Sequence, residues 1–548
     1  MRPFLVLALS CAALVSPLAQ SGAQLGRATF ANSGSPAAQA DFQRGVAWLH
    51  SFGYEDAIDA FRAAQKADPA FAMAFWGEAM SFSQPLWMFE EVPKGLAALA
   101  KLGPTPDARL AKAKTPREQG FMRAVEALFG SGSKPARAAA HAAAMAKVAA
   151  ENPGDDEAQT FYALALLATM PLGDSALPTR RQAGEIAEKV FARSPNHPGA
   201  AHYILHAYDH PTLAMKGLPA ARAYAKIAPA ASHALHMPAH SFLQAGLWDE
   251  AAVSDEASWN ASIAWAKRRS LPVSSRDYHS LGWLQYEWTQ QGRFSRTKEA
   301  MAFVDAAMKA ANDKPEGLSP RVLSPQHAGG HGYGEQSEIG RGSGDAALRN
   351  DRGSMRARYI VESERWSEMK GQSTFDNIEE LFALGLSAVN LADAPRVQST
   401  IEQLRNAAAP SQDAGLREQA EVMLREMEAL DLFARGQHAA AFAMMDRATA
   451  LQARMPKPIG RPFPVKGADE LYAELLLQVG RAKEALVWFD RTLARTPNRS
   501  RAVLGLARAY RNAGDAASAR ATYKRFLANW RLADPGLPEI VEARDAVR

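Results

Sequence analysis

The stretch GYEDAIDAFRAAQKADP, residues 53–69, decides the fold of this 548-residue chain. After its first glycine, the small and aromatic residues Ala57, Phe61 and Ala64 recur in steps of three and four, which places them on one face of a helix. Asp68-Pro69 predicts the end of that helix, because proline disfavours helical backbone in the residue before it. The stretch therefore predicts the turn and the second helix of an antiparallel helix pair.

The same arrangement of small, aromatic, glycine and proline residues returns along the chain. Small residues let two helices approach closely, and the aromatic residue fills the space between neighbouring pairs. One pair cannot bury its apolar face alone, so successive pairs must stack. The clearest copies lie at Gly45, Trp48 and residues 53–69, at Gly480, Ala485, Phe489 and Pro497, and at Ala507, Tyr510, Gly514, Ala519 and Tyr523, while weaker copies lie at Gly246, Gly292 and Gly436.

These copies resemble the tetratricopeptide-repeat (TPR) family at sites spread over residues 41–533. The resemblance implies an all-α fold, a TPR-like α-solenoid in which antiparallel helix pairs form a right-handed superhelix with a concave inner wall. The segments HPGAAHYILHAYDHP, ASHALHMPAHSFLQAGLW and PKPIGRPFPVKGADELYAELLLQVGRAKEAL are also similar to stretches of exported bacterial TPR-repeat proteins. That likeness implies the fold and brings no activity with it.

Residues 1–23 resemble a cleaved secretory signal peptide. Arg2 gives a positive start, residues 4–15 are apolar, and Ser21-Gly22-Ala23 resembles a small-residue cleavage site. We therefore expect a periplasmic or secreted protein. The one cysteine, Cys11, lies inside this segment, so we expect a mature chain with no disulfide and no thiolate metal ligand.

Three further regions are expected after the signal peptide. Residues 24–311 should form N-terminal helical repeats that include the histidine-rich region 197–240, and residues 355–548 should form C-terminal repeats. Between them, residues 312–354 contain many glycines and few large apolar residues, which predicts a flexible insertion. The net charge of +5 is spread along the chain without a basic block, so we expect no nucleic-acid partner. No later stretch predicts a membrane span, and the oligomeric state stays open.

Histidines are concentrated in one part of the chain. Seven of the thirteen fall between residues 197 and 240, namely His197, His202, His206, His210, His233, His236 and His240. His202 and His206 are four residues apart, and His236 and His240 repeat that spacing in the next repeat. One helical turn puts both imidazoles of such a pair on the same side, where their neutral nitrogens can share a metal ion.

His202, His206, His236 and His240 are therefore candidate metal ligands. Zinc and copper are the ions that suit imidazole best, and Met237 between the second pair favours copper slightly. Pro238 also lies between His236 and His240, so the helix is expected to begin or to kink there.

Three functions compete on this evidence. The preferred one is a binding or scaffold protein whose concave wall holds a protein partner, a peptide or a small ligand, because polar residues are normal on that wall. The second is a zinc- or copper-binding protein that uses the four histidines. The third, a metal-dependent hydrolase, ranks last because the His-Glu-x-x-His motif that would supply a base is absent from the sequence. No catalytic residue and no organic cofactor is assigned.

Overall fold

The computed structural model describes residues 24–87, 89–170, 176–312, 344–409 and 414–548. These residues form 25 α-helices, and the strands among them are β1 (Ser83–Gln84) and β2 (Phe89–Glu90), which pair antiparallel. The predicted all-α class is confirmed. Residues 1–23, expected to be a signal peptide, lie outside the described residues. Within the described part of the chain, no helix is both long enough and apolar enough to cross a membrane.

Fifteen helices precede the undescribed residues 313–343, and successive helices pack against each other. They are α1 (Pro36–His50), α2 (Tyr54–Ala67), α3 (Ala72–Met80), α4 (Val92–Ala100), α5 (Pro106–Leu110), α6 (Pro116–Leu128), α7 (Lys134–Glu151), α8 (Asp156–Leu167), α9 (Leu177–Arg193), α10 (Pro198–Tyr208), α11 (Ala214–Ile227), α12 (Ser232–Gln244), α13 (Trp248–Arg268), α14 (Tyr278–Gln290) and α15 (Phe294–Asn312).

Ten helices follow, again packed in sequence order. They are α16 (Gly344–Ser363), α17 (Ile378–Asn390), α18 (Ala394–Ala408), α19 (Ala414–Ala434), α20 (His438–Arg454), α21 (Ala468–Gln478), α22 (Ala482–Arg495), α23 (Ser500–Asn512), α24 (Ala516–Asn529) and α25 (Pro538–Val547). Of the expected insertion 312–354, residues 344–354 therefore lie in α16, and residues 313–343 lie outside the described residues.

Several of the turns inside helix pairs contain a left-handed glycine. Five turn glycines have positive φ, namely Gly246, Gly292, Gly436, Gly480 and Gly514. In the first repeat the left-handed residue is Phe52, with φ of 56°, while Gly53 has φ of −79°. Gly53 is needed there for space, because a Cβ would lie 2.4 Å from the ring of Trp48.

Neighbouring pairs lock together through an aromatic residue against a glycine. A Cβ at Gly77 on α3 would lie 2.3 Å from the ring of Phe61 on α2, and a Cβ at Gly505 on α23 would lie 2.3 Å from the ring of Phe489 on α22. The same sequence spacing separates the two residues of each pair. The small-against-aromatic packing predicted from the sequence is therefore present near both ends of the solenoid.

We expect Gly505→Ala to lower the free energy of unfolding by about 1–3 kcal/mol, because the added methyl group overpacks the contact with Phe489. Thermal unfolding followed by circular dichroism measures the change. Gly154→Ala is the matched control, since a Cβ there meets nothing within 4 Å. Equal melting temperatures for Gly505→Ala and the native protein would contradict the packing argument.

Both ends of the chain pack against its middle. At the N-terminal end, the Nδ1 atom of His50 on α1 lies 2.9 Å from the hydroxyl of Tyr203 on α10. At the C-terminal end, Trp248 donates from Nε1 to the carbonyl of Asn498 at 2.9 Å, and the backbone N–H of Ser500 donates to Gln290 at 2.8 Å.

These contacts enclose the central first helices of the repeats. Every residue of α10 is buried, and on α14 every residue except His279 is buried. In an open solenoid the inner face of such helices would be exposed. In this protein, other parts of the chain cover the inner wall at α10 and α14.

Candidate metal centre

Three successive first helices supply six histidines to the enclosed middle of the solenoid. The structure divides the four predicted ligands into two groups and completes each group with another histidine. We call the group on α12 and α14 site 1; it consists of His236, His240 and His279. We call the group on α10 and α12 site 2; it consists of His202, His206 and His233. His279 is half-buried, and the other five are buried.

Site 1 brings three Nε2 atoms together. The Nε2 atom of His236 lies 3.0 Å from that of His240 and 3.2 Å from that of His279. Imidazole nitrogens on a tetrahedral zinc ion, each about 2.0–2.1 Å from the metal, stand about 3.3 Å apart. The separations of the His236 nitrogen from the other two are therefore within a few tenths of an ångström of the spacing that one metal ion requires.

Carboxylates orient two of these rings from behind. The Nδ1 atom of His236 lies 2.6 Å from Oδ1 of Asp255, and the Nδ1 atom of His240 lies 3.0 Å from Oδ2 of Asp209. Asp209 is itself held by Gln244, which donates from Nε2 to its Oδ1 at 2.8 Å. An Nδ1–H that donates to a carboxylate leaves the Nε2 lone pair for a metal ion and raises its basicity.

A second buried carboxyl group lies next to Asp255. Burial raises the pKa of Glu287 well above its usual value, and the charge of Asp255 raises it further. Burial likewise raises the pKa of Asp255. The raised pKa of each carboxyl group favours its protonated form, which limits the negative charge behind His236.

An aromatic residue and a loop close site 1 on one side. The rings of Trp283 and His240 have centroids 4.3 Å apart. Residues 455–467 pass over Trp283, since a Cβ at Gly460 would lie 2.6 Å from its ring. Arg461 of the same segment lies so close to Gly282 on α14 that a Cβ added at Gly282 would contact its guanidinium group. Trp283 is thus fixed between the histidine and the loop.

Site 2 has a related geometry in an aromatic surrounding. The Nε2 atoms of His206 and His233 are 3.4 Å apart, and the ring of His202 lies within 5 Å of both neighbouring rings by centroid. Nδ1 of His202 lies 2.6 Å from the carbonyl oxygen of His50, so it donates there and its Nε2 carries the lone pair. Phe52 stacks on His206 and His233, with centroids 5.4 Å from each.

A third cluster, His50, Glu157 and His197, also has converging ligand atoms. Its hydrogen bonds explain it without a metal ion. Glu157 faces His50 at 2.7 Å and His197 at 3.3 Å, while the other nitrogen of His50 meets Tyr203 and that of His197 accepts from the backbone of Ala200. Burial would raise the pKa of Glu157, but the two histidines hold it well below its usual value.

The sequence and the structure differ in the details of the cluster. Pro238 lies inside the continuous helix α12, so the helix does not begin at this residue. Met237 is fully buried in the hydrophobic core. His210 follows the end of α10, with its Nδ1 accepting from the backbone of Thr212. The metal-ligand prediction did not include His279 or Asp255, and the helical pattern of α13 gives no reason to single out Asp255.

Comparison with known proteins agrees with the architecture. A family model described as tetratricopeptide repeat matches residues 471–529, which end with α24. Among curated proteins, none matches the sequence. Solved structures to which the chain is similar include a human IFIT1 dimer with PPP-AAAA (12% identity, 94% of this chain and 100% of that chain covered, TM-score 0.32) and yeast Tom70 (11% identity, 93% and 88% covered, TM-score 0.28).

The repeat match and the helix pairs observed along the chain agree with each other. The matched segment contains the Phe489–Gly505 contact, and the same contact recurs between Phe61 and Gly77, far outside that segment. The fold is of the kind that typically serves as a scaffold for protein–protein interaction. Residues 471–529 match the tetratricopeptide repeat, and the helix pairs along the rest of the described chain pack in the same manner.

Proposed function

We propose that this protein binds a zinc ion at site 1, through His236, His240 and His279. The observation that carries the proposal is that Nε2 of His236 lies 3.0 Å from Nε2 of His240 and 3.2 Å from Nε2 of His279, with the Nδ1 atoms of His236 and His240 facing carboxylates. The hydrogen bond from Nδ1 of His236 to Asp255 leaves the Nε2 lone pair of His236 directed at the other two rings. A cation placed among the three nitrogens would be bound through such lone pairs.

The chemistry of the donors favours zinc or copper. Imidazole nitrogen suits both ions, and three protein ligands leave a fourth position on a tetrahedral ion. We choose zinc because Met237, the residue that would favour copper, is buried in the hydrophobic core. A metal ion or a fourth ligand would approach site 1 from the side of His279, which is half-buried.

Binding of an extended peptide along the inner wall is less well supported at this level. The residues of α10 are all buried, and those of α14 are buried except His279, so the wall that a peptide would contact is already occupied by the chain. A partner protein would then use an outer surface, with the metal ion inside the repeat scaffold. We place this protein in the periplasm or outside the cell, as residues 1–23 led us to expect.

The test is metal analysis of the tag-free protein. Zinc should remain bound through gel filtration, and cobalt substituted for it should give the intense visible absorption of a tetrahedral ion. Affinity should fall as the pH decreases through about 6, because protonated imidazole cannot bind a metal. Absence of uptake of zinc, cobalt and copper would remove the proposal, and tight binding of copper alone would change the ion and keep the site.

We expect Asp255→Asn to weaken zinc binding about 10- to 100-fold without unfolding the protein, because the amide is nearly isosteric but a poorer acceptor for the Nδ1–H of His236. A competition titration against a fluorescent zinc chelator measures the change. Asp277→Asn is the matched control: Asp277 is another buried aspartate, but it caps α14 through Ser280. Unchanged zinc affinity in Asp255→Asn would show that the carboxylate does not support the ligand.

A further inference from the structure

We propose that site 2, formed by His202, His206 and His233, binds a second metal ion of the same kind. This goes beyond the function proposed above, because site 2 shares no ligand with site 1 and can bind its ion alone. The site consists of two histidines one helical turn apart on α10 and a third histidine on the facing helix α12. All three are buried, at 0%, 3% and 7% exposure.

The spacing of the nitrogens supports a shared ion. The Nε2 atoms of His206 and His233 are 3.4 Å apart, against the separation of about 3.3 Å expected for two imidazoles on tetrahedral zinc. One ligand atom from each of the three histidines lies within 4.8 Å of those of the other two. A small closure of the rings would bring all three to one ion.

The surroundings hold these rings in place. The carbonyl of His50 fixes the tautomer of His202, and His50 is in turn fixed by Glu157 and Tyr203. Tyr224 stacks on His202 with centroids 5.1 Å apart. Hydrogen bonds and packing from residues that are not ligands orient metal-binding imidazoles. Because the rings are already held in place, they lose little conformational entropy when the metal ion binds.

The buried cluster His50, Glu157 and His197 provides an internal comparison. There His50 meets Glu157 through one nitrogen and Tyr203 through the other, and His197 lies between Glu157 and the backbone N–H of Ala200. At site 2, Nε2 of His206 lies 3.4 Å from Nε2 of His233. A nitrogen pair at this distance is a weak hydrogen bond and a suitable ligand pair.

The two sites are neighbours on one helix. His233 and His236 belong to different sites, and their ring centroids are 6.3 Å apart. Adding the reach from each ring to its ion puts the two ions within about 13 Å of each other. Two divalent ions at such a distance repel, so the second should bind at least tenfold more weakly than the first.

The experiment counts ions per chain in a set of variants. The native protein should bind two zinc ions, and His206→Ala/His233→Ala and His240→Ala/His279→Ala should each bind one. The variant with all four changes should bind none. With copper loaded instead, dipolar broadening of the electron paramagnetic resonance spectrum should be present in the native protein and absent from both double variants.

Each result separates this inference from the proposed function. One zinc ion in the native protein, retained in His206→Ala/His233→Ala, overturns site 2 and leaves site 1 standing. One ion, lost only in that variant, supports site 2 and removes site 1. One ion lost in both variants means a single site across both groups and overturns the inference. If an alanine variant does not fold, His206→Gln/His233→Gln keeps polar side chains of similar size and decides the same question.

Discussion

Replacing both His236 and His240 by alanine should lower the zinc affinity of site 1 about a thousandfold or more. Structural zinc sites gain about 10–16 kcal/mol from four ligands, so the loss of two of the three protein ligands at site 1 exceeds 4 kcal/mol. The same change leaves Asp209 and Asp255 without the Nδ1–H groups that they face. The remaining His279, on the half-buried edge, cannot hold the ion alone.

Competition with a chelator of known affinity measures the loss directly. His141→Ala is the matched control, because His141 is also buried but bonds through Nδ1 to the carbonyl of Ala124 on the neighbouring helix, outside the three clusters. It should keep the native zinc affinity of site 1 while it loses a similar amount of buried imidazole. If both variants lost zinc equally, the effect would be one of folding and not of ligand removal.

The free energy of unfolding should change together with zinc binding. Zinc that binds only the folded state at a hundred times its dissociation constant adds about 2.7 kcal/mol to the free energy of unfolding. The melting temperature of the native protein and of His141→Ala should therefore rise on addition of zinc, while any rise in His236→Ala/His240→Ala comes from site 2 alone. That remaining rise should disappear when His206 and His233 are changed as well.

The fold was predictable because its signal is repeated and local. The pattern at residues 53–69 depends on contacts between adjacent helices, and the Phe61–Gly77 contact recurs as Phe489–Gly505. The first turn shows a limit of the residue pattern: Phe52, and not the neighbouring glycine, takes the left-handed conformation there. Glycine is required at position 53 because a Cβ there would clash with Trp48. The residue pattern alone cannot distinguish this requirement from a requirement for positive φ.

The candidate site was predictable only in part. The spacing of His202 and His206 and of His236 and His240 is visible in the sequence because one helical turn separates each pair. Which pair joins which third histidine depends on how α10, α12 and α14 stack, and no local pattern encodes that. Asp255 could not be found for the same reason, since it reaches His236 from the second helix of the repeat.

Arg499→Met should lower the free energy of unfolding at neutral pH by about 3–5 kcal/mol, because it removes a cationic partner from each of two buried carboxylates and leaves Glu470 with Lys466 alone. Arg499 is 2% exposed; its Nη1 lies 2.5 Å from Glu362, and its Nε lies 2.5 Å from Glu470. Arg511→Met is the control, since Arg511 is half-exposed and its pair with Glu542 should contribute less than about 1 kcal/mol. Urea unfolding at constant pH measures both.

The effect should depend on pH in a definite direction. Burial would raise the pKa of Glu470, but Arg499 and Lys466 hold it below its usual value. A carboxyl group with a lowered pKa in the folded state stabilises the protein above its unfolded pKa, and that contribution is lost as the pH falls through the folded value. The difference between native protein and Arg499→Met should therefore be full at pH 7 and narrow below about pH 4. A difference that grows on acidification would contradict the ion-pair explanation.

The substitution Arg499→Met should also affect metal binding at site 1. Arg499 donates from Nη2 to the carbonyl of Val465 at 3.1 Å, and Arg358 donates from Nη1 to the carbonyl of Pro462 at 2.7 Å, so both hold residues 455–467 in place. That segment packs on Trp283, which packs on His240. If zinc binds at site 1, Arg499→Met should weaken its binding although Arg499 is not a ligand. Arg499→Met/Glu362→Gln should recover part of the stability, because it removes the buried carboxylate that has lost its pairing with Arg499. Recovered stability without recovered zinc affinity would show that the position of the loop, and not the overall stability of the fold, sets the geometry around His240.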